Sequence, residues 1–158
     1  MKILIDADSC PKDARELVLR RAEKLGIRII LAANRQIPIE NAVKFAEMEI
    51  CPATDNSADD RIVELAEKGD LVITRDVPLA KRLVEKGAAV LDDRGRVFTA
   101  NNINEMLSLR NFTVGLADNG LGIERIANYG KKEFKSFADS LDRVLTKITL
   151  QDKGSESA

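Results

Sequence analysis

Short runs of branched aliphatic residues recur along the chain, and several of them end at or near an aspartate. The runs are Ile3-Leu4-Ile5 before Asp6, Leu71-Val72-Ile73 before Asp76, and Ala89-Val90-Leu91 before Asp92. Such runs are typical of strands that are buried on both faces of a parallel sheet. Because the carboxyl ends of parallel strands share one edge, aspartates distant in sequence can meet there. Gathered carboxylates predict a divalent-metal site and, with it, phosphate chemistry.

Helical segments separate these strands, as the recurrence of Ala14, Leu17, Val18 and Ala22 at helical spacing illustrates. We predict strands at 2–6, 27–33, 48–51, 71–74 and 88–91, and helices at about 11–26, 40–45, 57–69, 78–87, 101–110 and 133–148. The alternation predicts an α/β protein with a parallel sheet. Residues 1–150 are expected to form one domain, with a helical extension over about 101–150, and the polar segment 151–158 is expected to be disordered.

Composition excludes several functional classes. The chain has no histidine, which removes Ser-His-Asp and Cys-His catalysis, histidine-ligated zinc and histidine general bases. Its 25 basic and 26 acidic residues balance, so any contact with nucleic acid must come from local patches. Cys10 and Cys51 are expected to be reduced thiols. With neither a membrane-spanning stretch nor a signal peptide in view, we expect a cytoplasmic protein.

The acidic candidates differ in how well ordinary structural roles explain them. Asp6 follows a buried strand and is the strongest candidate ligand, whereas Asp8 is equally suited to the amino end of the next helix, where negative charge is favoured. Asp55, Asp59 and Asp60 crowd the start of the helix at 57, and capping explains at most two of them. Asp76 again closes a strand. For Asp92 and Asp93, a turn before Arg94-Gly95 is as good an explanation as ligation.

Three segments carry a family resemblance, which extends from residue 1 to about 112. Ile5-Asp6-Ala7-Asp8-Ser9-Cys10-Pro11, Asp59 with Ile62, and the run from Gly69 to Ala80 resemble the bacterial YaiI/YqxD family. That family in turn resembles a branch of the PIN-like nuclease superfamily. The resemblance implies a three-layer PIN-like fold with a central parallel five-stranded sheet of order 3-2-1-4-5, flanked by helices, with acidic residues at its carboxyl edge.

The resemblance also implies site residues. Asp6, Asp59 and Asp76 would be the catalytic aspartates, and together with Asp8 they would bind Mg²⁺ or Mn²⁺. The remaining acidic residue of PIN enzymes has only Glu40 and Glu47 as candidates here. RNA is the expected substrate, and Thr74, Arg75, Lys12 and Arg15 are candidate substrate-binding residues because their segments can face the same edge.

Two other functions stay open at the level of sequence. A PIN-like module could hold nucleic acid or protein without cutting anything. A haloacid-dehalogenase-like phosphatase would instead use Asp6 as nucleophile, Asp8 as acid/base, Thr74 as phosphate ligand and Asp92-Asp93 as metal ligands. In that scheme the acidic cluster at 55–60 has no role.

Overall fold

The computed structural model describes residues 1–37, 46–54, 56–118 and 129–156. The strands are β1 (Lys2–Asp6), β2 (Arg28–Ala33), β3 (Ala46–Ile50), β4 (Leu71–Ile73), β5 (Ala89–Leu91) and β6 (Val97–Phe98). The helices are α1 (Lys12–Leu25), α2 (Ser57–Leu65), α3 (Val77–Glu85), α4 (Ile103–Asp118) and α5 (Lys131–Glu156).

The strands form one sheet in the order β3-β2-β1-β4-β5-β6, in which β1 to β5 are parallel and β6 is antiparallel to β5. The predicted α/β class and the order 3-2-1-4-5 are confirmed. The two-residue strand β6 was not predicted. It follows β5 through a tight hairpin and adds a sixth strand at the edge of the sheet. Strand order reverses direction between β1 and β4, where Ile5 is in register with Ile73, so the carboxyl ends of these two strands meet at the centre of the sheet.

Helices cover both faces of the sheet, which explains why the inner strands are continuously apolar. Ile3 and Ile5 pack with α1 and α5, which contribute Leu17 and Phe137 among others. Leu4, from the same strand, points to the opposite layer, where α2 and α3 supply Ile62 and Leu83 and α4 supplies Ile103. Neighbouring residues of one strand thus serve two separate cores, as expected for a three-layer α/β fold.

The ends of several elements differ from prediction. Helix α4 continues to Asp118 rather than 110, and α5 runs to Glu156, through most of the 151–158 segment for which disorder is expected. The stripe of Phe137, Leu141, Leu145 and Ile148 anchors α5 to the core. Extending an anchored helix costs far less than nucleating one, which favours helical backbone beyond the last buried residue. The helix predicted at 40–45 lies outside the described residues. Within the described ranges, no helix is long and apolar enough to cross a membrane.

Candidate metal centre

Asp6 lies at the junction of the two central strands. It is the last residue of β1, and Thr74 directly follows β4, so the parallel pairing brings the two side chains together. The Thr74 hydroxyl donates a hydrogen bond of 2.9 Å to Oδ2 of Asp6, and the Ser9 hydroxyl donates a second of 3.1 Å to the same oxygen. Asp6 is only 7% exposed. One carboxylate oxygen is therefore held in place by two hydroxyl groups.

Asp76 is tied to the same arrangement through Thr74. The Asp76 backbone N–H donates to the Thr74 hydroxyl oxygen at 3.1 Å, while Oδ1 of Asp76 accepts from the Leu79 N–H at 3.0 Å and so caps α3. This cap fixes the orientation of the carboxylate at the helix start. Within the described residues, no hydrogen bond reaches Oδ1 of Asp6 or Oδ2 of Asp76, so each carboxylate keeps one oxygen for another partner.

Asp59 belongs to the first turn of α2 and joins this group electrostatically. Burial raises the pKa of Asp59 from its usual 3.8 to about 6, and the negative charges of Asp76 and then Asp6 contribute to the rise, against a smaller opposing effect of Arg82. Burial likewise raises the pKa of Asp6, although the hydrogen bonds from Thr74 and Ser9 oppose it. The fold thus brings the three predicted catalytic aspartates into mutual repulsion. We call Asp6, Asp59 and Asp76 the acidic cluster.

Asp8 is placed differently. Its Oδ2 accepts the backbone N–H of Asn34 at 2.7 Å, and its Oδ1 lies 3.7 Å from the Arg35 guanidinium. The side chain therefore ties the loop after β1 to the loop after β2. That role differs from the helix-cap alternative. Asp8 nevertheless stays close enough to the cluster for its charge to contribute to the raised pKa of Asp6, which burial mainly causes.

The other acidic candidates spread out. Asp60 is exposed and pairs with Arg82 at 2.9 Å, and Asp55 and Glu40 lie outside the described residues. Glu47 sits on the edge strand β3 and pairs with Arg28 at the beginning of β2, which is the opposite end of the sheet from the acidic cluster. In the described part of the chain, Glu47 is therefore not a fourth member.

The predicted substrate-binding residues have distinct surroundings. Arg75 directly follows Thr74, and its Nη2 donates to the Ser9 carbonyl at 2.8 Å and to Asp93 Oδ2 at 2.9 Å, with half of the side chain still exposed. Lys12 is exposed, with Nζ 4.0 Å from Glu16. Arg15 is half-buried in α1, near Cys10: burial raises the pKa of that thiol, and the charge of Arg15 only partly opposes the rise. Two hydrogen bonds thus fix Arg75 at this edge.

The hairpin after β5 explains Asp92 and Asp93. Oδ1 of Asp92 accepts the backbone N–H groups of Arg94 and Arg96, at 2.9 and 2.8 Å, and so holds the turn, while Asp93 anchors Arg75. The turn alternative for Asp92 accounts for its position fully. The Asp92 side chain thus stabilises the hairpin, and the Asp93 side chain binds Arg75.

The donor set of the acidic cluster fits a hard divalent cation. Among the described residues, no group of three or more acidic or cysteine side chains is already arranged as a set of metal ligands. Mg²⁺ does not require one, since it is commonly held by one or two carboxylates, with water and substrate phosphate completing an octahedron. Zinc fits poorly, because the chain has no histidine and burial raises the pKa of the nearby Cys10 thiol to about 12.

Comparison with known proteins assigns the family. Residues 4–147 match the family described as "Uncharacterized BCR, YaiI/YqxD family". The chain belongs to the YaiI/YqxD family. The match covers the acidic cluster and extends well past residue 112, through most of α5, so the C-terminal helices are part of what defines the family.

Curated relatives match over nearly the whole chain. A UPF0178 protein of Treponema denticola is 47% identical over 151 residues, covering 96% of each chain. One from Pseudomonas fluorescens is 43% identical over 151 residues, 96% of this chain and 99% of the relative. One from Treponema pallidum is 43% identical over 148 residues, 94% of this chain and 83% of the relative. No solved structure matches the chain.

Two contacts of this YaiI/YqxD centre are not predicted from the sequence, one made by Ser9 and one by Asp93. Ser9 supports Asp6, and its position three residues after that aspartate is a recognisable signal, because serine hydroxyls commonly bond to groups three residues away. Asp93 anchors Arg75, and nothing in the sequence indicates that contact, since it depends on how the hairpin folds back beside β4.

Proposed function

We propose that this YaiI/YqxD protein is a PIN-like hydrolase that cleaves RNA phosphodiesters with Mg²⁺ or Mn²⁺ at the acidic cluster. The observation that carries the proposal is the meeting of Asp6 and Asp76 at Thr74, whose hydroxyl donates to the Asp6 carboxylate and accepts the Asp76 N–H. Burial and the charges of Asp76 and Asp6 also raise the pKa of Asp59. Three carboxylates that repel one another at a sheet edge are costly to the fold unless a cation joins them. A switch point between parallel strands is also where α/β proteins commonly bind ligands.

Each residue has a definite part in this proposal. Asp6 and Asp76 offer their remaining oxygens as ligands. The Thr74 hydroxyl orients the Asp6 carboxylate, and the Leu79 N–H orients the Asp76 carboxylate. Asp59, on α2, adds a third negative charge to the cluster. A bound Mg²⁺ or Mn²⁺ supplies an activated water at neutral pH and offsets charge on the phosphate oxygens. Arg75, fixed by Asp93 and half exposed, is positioned to contact a non-bridging phosphate oxygen.

A binding module without catalysis is the second candidate. Two observations favour it: Asp8 is committed to Asn34 and Arg35, and the described residues contain no ready-made set of three metal ligands. The phosphatase alternative is weaker. Its metal ligands would be Asp92 and Asp93, whose side chains hold the hairpin and Arg75, and the hydroxyl of Thr74 already bonds to the proposed nucleophile, Asp6.

A cleavage assay on end-labelled single-stranded and hairpin RNA tests the proposal. We expect Mn²⁺- and Mg²⁺-dependent products that EDTA abolishes. Asp76→Asn should reduce the rate more than about 100-fold, since even residues that only orient the ligands of a metal cost about 10–100-fold when they are removed. Asp60→Asn is the matched control, because Asp60 is an exposed aspartate of the same acidic segment. Equal rates for Asp76→Asn and wild type would trace cleavage to a contaminant. Turnover of a phosphomonoester through an aspartyl-phosphate on Asp6 would favour the phosphatase.

A further inference from the structure

A groove lies beside the acidic cluster on the α3–α4 side of the sheet. It has a volume of about 290 Å³ and is lined by Val77, Arg96, Met106, Leu109, Arg110 and Thr113. Val77 is the first residue of α3 and directly follows Asp76 in the chain. The groove therefore begins next to one of the proposed ligands and leads away from it along α4. We call it the α4 groove.

Exposed apolar side chains lie at and next to the α4 groove. Leu109 lines the groove and is 59% exposed. Phe112 is not one of the lining residues, but it lies three residues further along α4, next to Leu109 on the helix surface, and is 66% exposed. Single exposed aliphatic residues are common, but an exposed aromatic ring next to an exposed aliphatic residue that lines a groove is a feature of binding surfaces. An aromatic ring in this position offers a flat face to a planar ligand.

Two arginines give the groove a positive charge. In the described part of the chain neither Arg96 nor Arg110 forms an ion pair with a carboxylate, and Arg110 contacts only the neutral side chain of Asn111, at 3.3 Å. The backbone of Arg96 is fixed, because its N–H donates to the buried Asp92 at 2.8 Å. Guanidinium groups on a preorganised backbone suit phosphate oxygens.

We propose that the α4 groove binds single-stranded nucleic acid, holding nucleotides that flank the phosphodiester at the acidic cluster. Arg96 and Arg110 contact backbone phosphates, and Phe112 and Leu109 take the face of a base. The combination of a cationic groove with an exposed aromatic ring is how proteins bind single strands, whereas a duplex hides the faces of its bases. This inference rests on the proposed function for the position of the scissile phosphate. It also assigns Asp92 a purpose, since the turn that Asp92 holds carries Arg96.

The test is fluorescence anisotropy with labelled ten-nucleotide oligouridylate and its DNA counterpart, on the full chain, in EDTA so that nothing is cut. Phe112→Ala should weaken binding at least about fivefold, the lower end of what loss of one stacked base costs, and leave the salt dependence unchanged. Each phosphate contact on a single strand contributes about 0.7 to the slope of log K against log salt. The double variant Arg96→Ala/Arg110→Ala removes two contacts and should therefore reduce the magnitude of this slope by about 1.4.

Matched controls come from the opposite layer. Leu150→Ala removes another exposed apolar side chain, from α5, and Arg20→Ala removes an exposed arginine from α1. All of these positions are on the surface, so circular dichroism should show each variant folded. The inference fails if the groove variants bind no more weakly than the controls. It also fails if wild type is a dimer that Phe112→Ala dissociates without changing oligonucleotide affinity, because the α4 groove is then an interface between copies.

The groove and the proposed activity can fail separately. Binding that depends on Phe112, combined with no cleavage by wild type in Mn²⁺, would support the groove and overturn the nuclease. Cleavage that requires Asp76 but is indifferent to Phe112, Arg96 and Arg110 would support the nuclease and overturn the groove.

Discussion

Replacing Asp59 by asparagine should stabilise the metal-free protein, although the residue lies in the proposed active site. The pKa of Asp59 is raised from 3.8 to about 6. At about 1.36 kcal/mol per pH unit, this corresponds to roughly 3 kcal/mol of unfavourable free energy in the ionised folded state. Because Asp59 is partly exposed, solvent screening reduces this to about 1–2 kcal/mol. The asparagine side chain carries no charge that could repel Asp6 or Asp76.

The raised pKa of Asp59 also determines how the stability of the protein changes with pH. Between pH 3.8 and about 6 the folded state holds a proton on Asp59 that the unfolded state has lost. Stability of wild type therefore falls as pH rises through this window, and the full penalty applies above it. The gain from Asp59→Asn should be near zero at about pH 3.5 and complete at about pH 7.5, where it amounts to about 2–8 °C in Tm.

Urea unfolding followed by circular dichroism, in EDTA, measures this difference at both pH values. Asp60→Asn is the control, because Asp60 shares the first turn of α2 but is exposed and paired with Arg82, so its loss should change stability by less than about 1 kcal/mol at either pH. A destabilised Asp59→Asn protein at the higher pH, or a gain that is the same at the lower one, would refute the electrostatic account of the acidic cluster.

Two further predictions concern the surroundings of the site. Gly95→Ala should cost at least about 2 kcal/mol in urea unfolding, because Gly95 has a φ of +91° and a Cβ there would lie 2.5 Å from the Ser136 carbonyl oxygen; a neutral result would contradict this close approach of the hairpin to α5. The Cys10 thiol, whose pKa burial raises to about 12, should resist iodoacetamide at about pH 8 in the folded protein and react in urea, as mass spectrometry can show. Rapid native alkylation at Cys10 would contradict the raised pKa of this partly buried thiol.

Sequence predicts most of the sheet because its inner strands are buried on both faces. The runs around Ile5, Leu31 and Ile73 need no context to be recognised as strands. The edge strand β3 is only partly buried, so its apolar pattern is weak and it starts at Ala46 rather than at the predicted Met48. Strand β6 has two residues, too few for any periodicity, and it exists because the turn held by Asp92 directs the chain back onto β5.

The candidate site was likewise predicted only in part. Parallel topology alone brings Asp6 and Thr74 together, which is why residues at strand ends could be chosen from the sequence. The hydrogen-bond partners of the individual side chains could not be predicted in this way. Whether Asp8 faces a metal or the backbone of Asn34, and whether Arg75 is free or held by Asp93, depends on loop conformations that have no signature in composition or spacing.

Metal binding tests the central claim most directly, since the proposed hydrolysis depends on a cation at the acidic cluster. Isothermal calorimetry with Mn²⁺ and Mg²⁺ should be carried out on wild type and on Asp6→Asn/Asp76→Asn, with Asp60→Asn as control. We predict saturable binding to wild type and to the control, and its loss in the double variant. Binding of equal affinity in the double variant, or none to wild type at millimolar metal even with a non-cleavable RNA present, would contradict the assignment of Asp6 and Asp76 as ligands.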